Sequence, residues 1–73
     1  MKKATDIMIE KINSKIFMAD DEYKAFGKSD YYNTLMAKIY GMIELLEAVD
    51  GKNYAVTDVG LVERKYLKKN EER

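Results

Sequence analysis

The densest group of acidic side chains in the sequence is Asp20-Asp21-Glu22. Two carboxylates that converge on one atom can act as general acid and base, or can ligate a metal ion. Neighbouring helix positions point about 100° apart, so these three side chains do not converge. Acidic groups in a row are typical of a helix start or a solvated helix turn, because they favour the positive end of the helix dipole. We therefore expect no catalytic site here.

The segment that begins at Asp50 has a superficial likeness to the head of a calcium-binding loop. An EF-hand loop requires oxygen ligands at positions 1, 3 and 5, glycine at 6 and glutamate at 12. Counted from Asp50, positions 3, 5 and 6 are Lys52, Tyr54 and Ala55, and position 12 is Leu61. A cation and apolar side chains cannot supply these oxygens. The sequence predicts a turn here and no metal site.

The composition removes most other kinds of chemistry. There is no Cys and no His, so the chain has no disulfide, no Cys- or His-ligated zinc site, no Cys nucleophile and no imidazole base. The four glycines are scattered and form no phosphate-binding motif. We expect neither an enzyme nor a cofactor.

Basic residues near the end of the chain keep nucleic-acid binding as the alternative function. A basic helix with an aromatic side chain can lie along phosphates, yet 13 basic and 13 acidic residues give the whole chain no net charge. Cations near a helix C-terminus also complement the helix dipole. The candidate nucleic-acid contacts are Arg64, Lys65, Lys68 and Lys69.

The positions of apolar residues indicate two helices. Steps that alternate between three and four place side chains on one stripe of a helix, the a/d seam of a coiled-coil heptad. The first seam is Ile9, Ile12, Ile16, Ala19, Tyr23 and Phe26. The second is Tyr32, Leu35, Ile39, Met42, Leu46 and Val49. Two seams of equal length predict an antiparallel helical hairpin over residues 5–27 and 30–50.

The residues between the seams are typical of helix ends. Gly27 suits the position after a helix, and Ser29 or Asp30 can cap the next one. Gly51 would end the second helix in the same way as Gly27 ends the first. The acidic run at 20–22 leaves open a first helix that stops near Met18, but we expect one continuous helix.

The C-terminal segment permits two structures. A helix from Thr57 or Asp58 to about Lys69 gives an all-α fold, a small bundle, which we favour. The alternative is an α+β fold in which residues 54–57 pair with 61–67 as a β-hairpin. A lone two-stranded hairpin is marginal in water, which counts against it. In either case we expect a single small domain over residues 1–73, with a frayed tail at 70–73.

The second helix is more apolar than one neighbouring helix requires. Met36 and Ile43 flank its seam on one side, and Tyr31 and Leu45 flank it on the other. Either these side chains belong to the edge of the core or they contact another molecule. Tyr and Met are enriched at protein interfaces. The predicted partner-binding residues are Tyr31, Met36, Tyr40, Ile43, Phe17 and Met18.

These features predict a non-catalytic protein–protein interaction module. We expect it to act as an adaptor or inhibitor by occupying a surface of a larger protein, whose identity the sequence does not give, and to form a homodimer. No apolar run approaches the roughly 18 residues of a membrane span. The N-terminal residues also lack the apolar core of a secretory signal. We therefore expect no membrane association and a cytoplasmic location.

Overall fold

The fold consists of two long helices followed by a short β-hairpin. The structure is a computed structural model that describes residues 2–67; the tail predicted at 70–73 lies outside these residues. The elements are helix α1 (Ala4–Phe26), helix α2 (Asp30–Asp50), strands β1 (Tyr54–Thr57) and β2 (Gly60–Glu63), and a 3-10 turn (Arg64–Tyr66).

The connection between the helices is stabilised by the predicted capping residues. Gly27 ends α1 with φ of 70°, and its N–H donates to the Tyr23 carbonyl at 2.8 Å. The Ser29 hydroxyl caps α2 because it accepts the Tyr32 N–H at 3.0 Å, and it also donates to the Glu22 carboxylate at 2.7 Å. α1 runs through the acidic residues 20–22 without a break, so the prediction of a continuous helix is confirmed.

The core lies between the two helices and against β1. Its buried side chains are Ile12, Ile16 and Ala19 of α1, Leu35, Ile39, Ile43 and Leu46 of α2, and Tyr54 of β1. The centres of both predicted seams therefore face inward, and the helical hairpin is confirmed.

The last residues of both seams are exposed, which differs from the prediction. Phe26 is 74% exposed and Val49 is 59% exposed, whereas Ile43 is only 6% exposed. A straight helix has 3.6 residues per turn, so its buried stripe drifts away from a strict 3.5-residue repeat. In α2 this drift makes Ile43 a core residue and leaves Met42 half-buried at the edge.

The C-terminal segment is a β-hairpin where we expected a helix, so the all-α prediction is supported only in part, by the two long helices. The two strands are antiparallel, with Tyr54 opposite Glu63 and Thr57 opposite Gly60. At the turn the Thr57 hydroxyl accepts the Val59 N–H at 3.3 Å and donates to the Gly60 carbonyl at 2.7 Å. The chain is a mainly helical α+β domain, as in the alternative prediction, although β2 ends at Glu63 rather than residue 67.

Two helix side chains accept backbone N–H groups of the β-hairpin. The Asn13 amide oxygen of α1 accepts the Leu61 N–H at 2.8 Å, and the Glu47 carboxylate of α2 accepts the Tyr54 N–H at 2.9 Å. The hairpin is therefore not isolated, which removes the argument that a lone hairpin is marginal. One side chain from each helix thus fixes which face of the helix pair the hairpin covers.

Candidate protein-binding surface

The face of the helix pair that is opposite the β-hairpin is here called the open face. Asn13 and Glu47, which hold the hairpin, directly follow the core residues Ile12 and Leu46 in sequence, so they lie about 100° to one side of the core direction. In two antiparallel helices that face each other, one step towards the C-terminus turns the side chain towards the same face of the pair in both helices. Residues that precede core residues in sequence therefore lie on the other face, away from the hairpin.

Two stripes of side chains make up the open face. Successive members of each stripe are three or four positions apart, the spacing of neighbours on a helix surface. In α1 they are Met8, Lys11, Lys15, Met18 and Glu22. In α2 they are Tyr31, Thr34, Lys38, Met42, Leu45 and Val49.

The apolar members of the open face are only partly covered by the protein itself. Leu45 is 60% exposed and Val49 is 59% exposed, and Tyr31 and Met18 are about half exposed. Met42 is half-buried and packs against the core. Single exposed apolar residues are ordinary on protein surfaces, but a contiguous group on one face marks an interaction surface.

The charged members of the open face are three lysines and one glutamate. Within residues 2–67, none of Lys11, Lys15 and Lys38 forms an ion pair. The carboxylate next along the α1 stripe is that of Glu22, at the interhelix connection, where it accepts the Ser29 hydroxyl. The open face therefore combines exposed apolar area with an excess of positive charge.

The six residues predicted to bind a partner do not form one surface. Tyr31 and Met18 lie on the open face. Phe17, Met36 and Tyr40 lie on the side of their helices that carries the β-hairpin; Phe17 and Tyr40 are exposed there and Met36 is half-buried.

Ile43 requires a correction. Its side chain is in the core, so it is not available to a partner in this conformation. From the sequence we expected Val49 in the core seam and no protein-binding role for Lys11, Lys15 and Lys38. The signal that could have found them is that each lysine, like Leu45, falls one position before a core residue.

A cavity lies between α2 and the C-terminal segment. It has a volume of about 310 Å³, and its lining includes Tyr40, Glu44, Glu47, Arg64 and Leu67. Leu67 is the last residue that the structure describes. No group of three or more acidic side chains in residues 2–67 is placed to hold a metal ion.

The strongest electrostatic coupling joins Tyr54 and Asp50 at the end of α2. The Tyr54 hydroxyl donates a short hydrogen bond to the Asp50 carboxylate. This bond lowers the pKa of Asp50, and burial together with the bond to Asp50 raises the pKa of Tyr54. A neutral phenol that is harder to ionise stabilises the fold and does not serve as a base.

The predicted nucleic-acid contacts are not on a helix in the described residues. Arg64 and Lys65 belong to the 3-10 turn. The Lys65 ammonium lies 3.9 Å from Glu63 and 5.1 Å from the centre of the Tyr66 ring. Lys68 and Lys69 lie outside the described residues. The basic helix on which the nucleic-acid alternative depended is therefore absent from residues 57–67.

Comparison with known proteins identifies no relative. No protein-family model, no curated protein and no solved structure matches this chain. Neither of the two helices in the described part of the chain is both long and apolar enough to cross a membrane.

Proposed function

We propose that this protein is a non-catalytic interaction module that acts as an adaptor or inhibitor by occupying a surface of a larger protein. The observation that supports the proposal is the open face, where Leu45 and Val49 are exposed on adjoining turns of α2 and Tyr31 is half exposed nearer the start of the helix. The β-hairpin covers only the other side of the helix pair. A partner that covered these side chains would remove their apolar area from water. Each Å² of apolar area buried contributes about 25 cal/mol of favourable free energy.

The proposal is tested by site-specific photo-crosslinking in extracts of the source cells. A photoreactive side chain at position 45 should give a discrete adduct of higher mass, because Leu45 would lie inside the interface. The matched control has the same side chain at position 28, since Lys28 is exposed in the interhelix connection. Absence of an adduct at position 45, or the same adducts at both positions, would contradict the proposal.

We further propose that any homodimer uses the other side of the helices. A symmetric dimer through the open face would place Lys11, Lys15 and Lys38 of two copies against one another, and such like-charge contacts are unfavourable. Phe17 and Tyr40 on the hairpin side carry no such charge and are 48% and 57% exposed.

Light scattering over a concentration series tests the dimer. The Tyr40→Glu substitution should shift the monomer–dimer equilibrium towards the monomer, whereas Leu45→Glu should leave the measured mass unchanged. A monomeric wild-type protein at every concentration would remove the homodimer from the proposal.

A further inference from the structure

The apolar and basic side chains follow a definite order along the open face. The rings of Tyr23 and Tyr32 are 5.3 Å apart, which fixes the alignment of the antiparallel helices. Both helices rise about 1.5 Å per residue, so each step towards the N-terminus of α1 is matched by one step towards the C-terminus of α2. Lys15 therefore lies beside Lys38 and Met42.

The same alignment places the remaining members of the face. Met8 lies beside Leu45 and Val49 at one end. Towards the other end Met18 lies next to Lys38, and Tyr31 lies with Thr34 and Glu22. The open face thus has apolar side chains towards both ends, with one carboxylate near Tyr31, and its middle carries Lys11, Lys15 and Lys38 around Met42.

This order favours a helix as the occupant. Two antiparallel helices side by side leave a groove along their length into which a third helix packs, as in helical bundles. From residue 31 to residue 49 the face is about 27 Å long, which corresponds to a helix of about 18 residues. Such a helix would contact both apolar ends at once, and its middle turns would lie against the lysines.

The charges favour an acidic helix and argue against a membrane. A helix that lies on a bilayer keeps its cations on the polar side while its apolar side is buried. On the open face the three lysines lie between the two apolar ends, so insertion of both ends would carry the lysines into the apolar region at high cost. Glutamates on a partner helix would instead pair with Lys11, Lys15 and Lys38, which have no acidic partner within residues 2–67.

We propose that the open face binds an acidic amphipathic helix of another protein, with apolar side chains near both helix ends and carboxylates in its middle turns. The inference depends on the proposed function and names the kind of partner that the module takes. The ends of the groove supply apolar contact, and the central lysines select the charge of the partner.

The experiment uses synthetic peptides of about 18 residues, the length that matches the face. One peptide has leucines at helical spacing near both ends and glutamates in the two middle turns. The second is identical except that lysines replace the glutamates. Binding of each labelled peptide to the full chain is followed by fluorescence anisotropy at low and high salt, and phosphatidylserine vesicles are a third probe.

The acidic peptide should bind at least about tenfold more tightly than the lysine peptide, because its glutamates form ion pairs with the three lysines of the open face whereas lysines repel them. The difference should shrink at high salt. The variant Lys15→Glu/Lys38→Glu should lose the preference, whereas the control Lys24→Glu/Lys28→Glu should keep it. Circular dichroism establishes that both variants retain their helices.

Equal binding of both peptides, no binding of either, or a preference for the vesicles would overturn the inference. These outcomes are distinct from failure of the proposed function. An adduct at position 45 without a preference for the acidic peptide would leave the interaction module intact and reject only the acidic helix. Absence of the adduct at position 45 would reject both the interaction module and the acidic helix as its partner.

Discussion

The Asn13 amide oxygen accepts the backbone N–H of Leu61, 48 positions further along the chain, at 2.8 Å. The strand that contains Leu61 begins at Gly60, whose φ is 107°. A Cβ atom at residue 60 would lie only 2.8 Å from the same Asn13 oxygen. The contact between α1 and β2 therefore requires both an asparagine at position 13 and a residue without a side chain at position 60.

Asn13→Ala should destabilise the protein by about 1–3 kcal/mol, because the part-buried Leu61 N–H would lose its acceptor. Urea unfolding followed by circular dichroism measures the change. The control is Asn33→Ala, an exposed asparagine of α2, which should change the stability by less than about 0.5 kcal/mol. Equal effects of the two substitutions would show that the bond to Leu61 does not stabilise the fold.

Gly60→Ala should also destabilise the protein, for two reasons that can be separated. The added methyl group collides with Asn13, and an L-residue is strained at φ of 107°. In the double variant Asn13→Ala/Gly60→Ala the collision is gone but the strain remains. Urea unfolding should therefore show that the double variant is less destabilised than the sum of the single variants. Strict additivity would mean that the two residues do not interact.

The helical hairpin could be predicted from the sequence because its signals are local. Apolar residues at alternating steps of three and four define the inward stripes, and Gly27 with Ser29 marks the break between the helices. The ends of the stripes could not be placed in this way. Whether Val49 is buried depends on how far a straight helix drifts from the heptad repeat and on where the neighbouring helix ends.

The β-hairpin and the candidate surface could not be predicted with the same success, because they depend on contacts distant in sequence. Residues 57–69 permit a helix or a strand locally, and the side chains that favour the strand are Asn13 and Glu47, far along the chain. Once the hairpin covers one face of the helices, the opposite face becomes the open one. Ile43 and Leu45 flank the same seam in the sequence. Ile43 is buried because the helix stripe drifts towards the side that the hairpin covers, whereas Leu45 lies on the uncovered side.

Gly41→Ala should stabilise the protein by about 0.5–1 kcal/mol. Gly41 lies within α2, and an added Cβ would meet no atom within 4 Å, so the substitution gains helix propensity without a collision. The control is Gly51→Ala, where the space is equally open but φ is 72°, so that alanine should destabilise. Thermal unfolding should show opposite shifts of Tm; a lower Tm for Gly41→Ala would contradict a regular, uncrowded helix at this position.

The bond between Tyr54 and Asp50 predicts how stability depends on pH. Burial raises the pKa of Tyr54, so the folded state holds the phenol proton more tightly than the unfolded state does. The resulting stability is fully present below the ordinary tyrosine pKa of about 10 and decreases as the pH rises towards the folded value. For Asp50 the sign is opposite: its pKa is lowered, so its contribution is present above the ordinary value of 3.8 and is lost as the pH falls through the folded pKa.

Urea unfolding between pH 8 and 11 tests the tyrosine, and unfolding between pH 6 and 3 tests the aspartate. Tyr54→Phe should be less stable than wild type at pH 8, because the bond to Asp50 is lost, but its stability should decrease less between pH 8 and 11. Asp50→Asn should likewise reduce the loss of stability in acid. Tyr66→Phe is the control, since Tyr66 is 68% exposed, and it should follow the wild-type curve. If Tyr54→Phe and the wild type lose stability in parallel above pH 10, the phenol at position 54 is not held neutral by the fold.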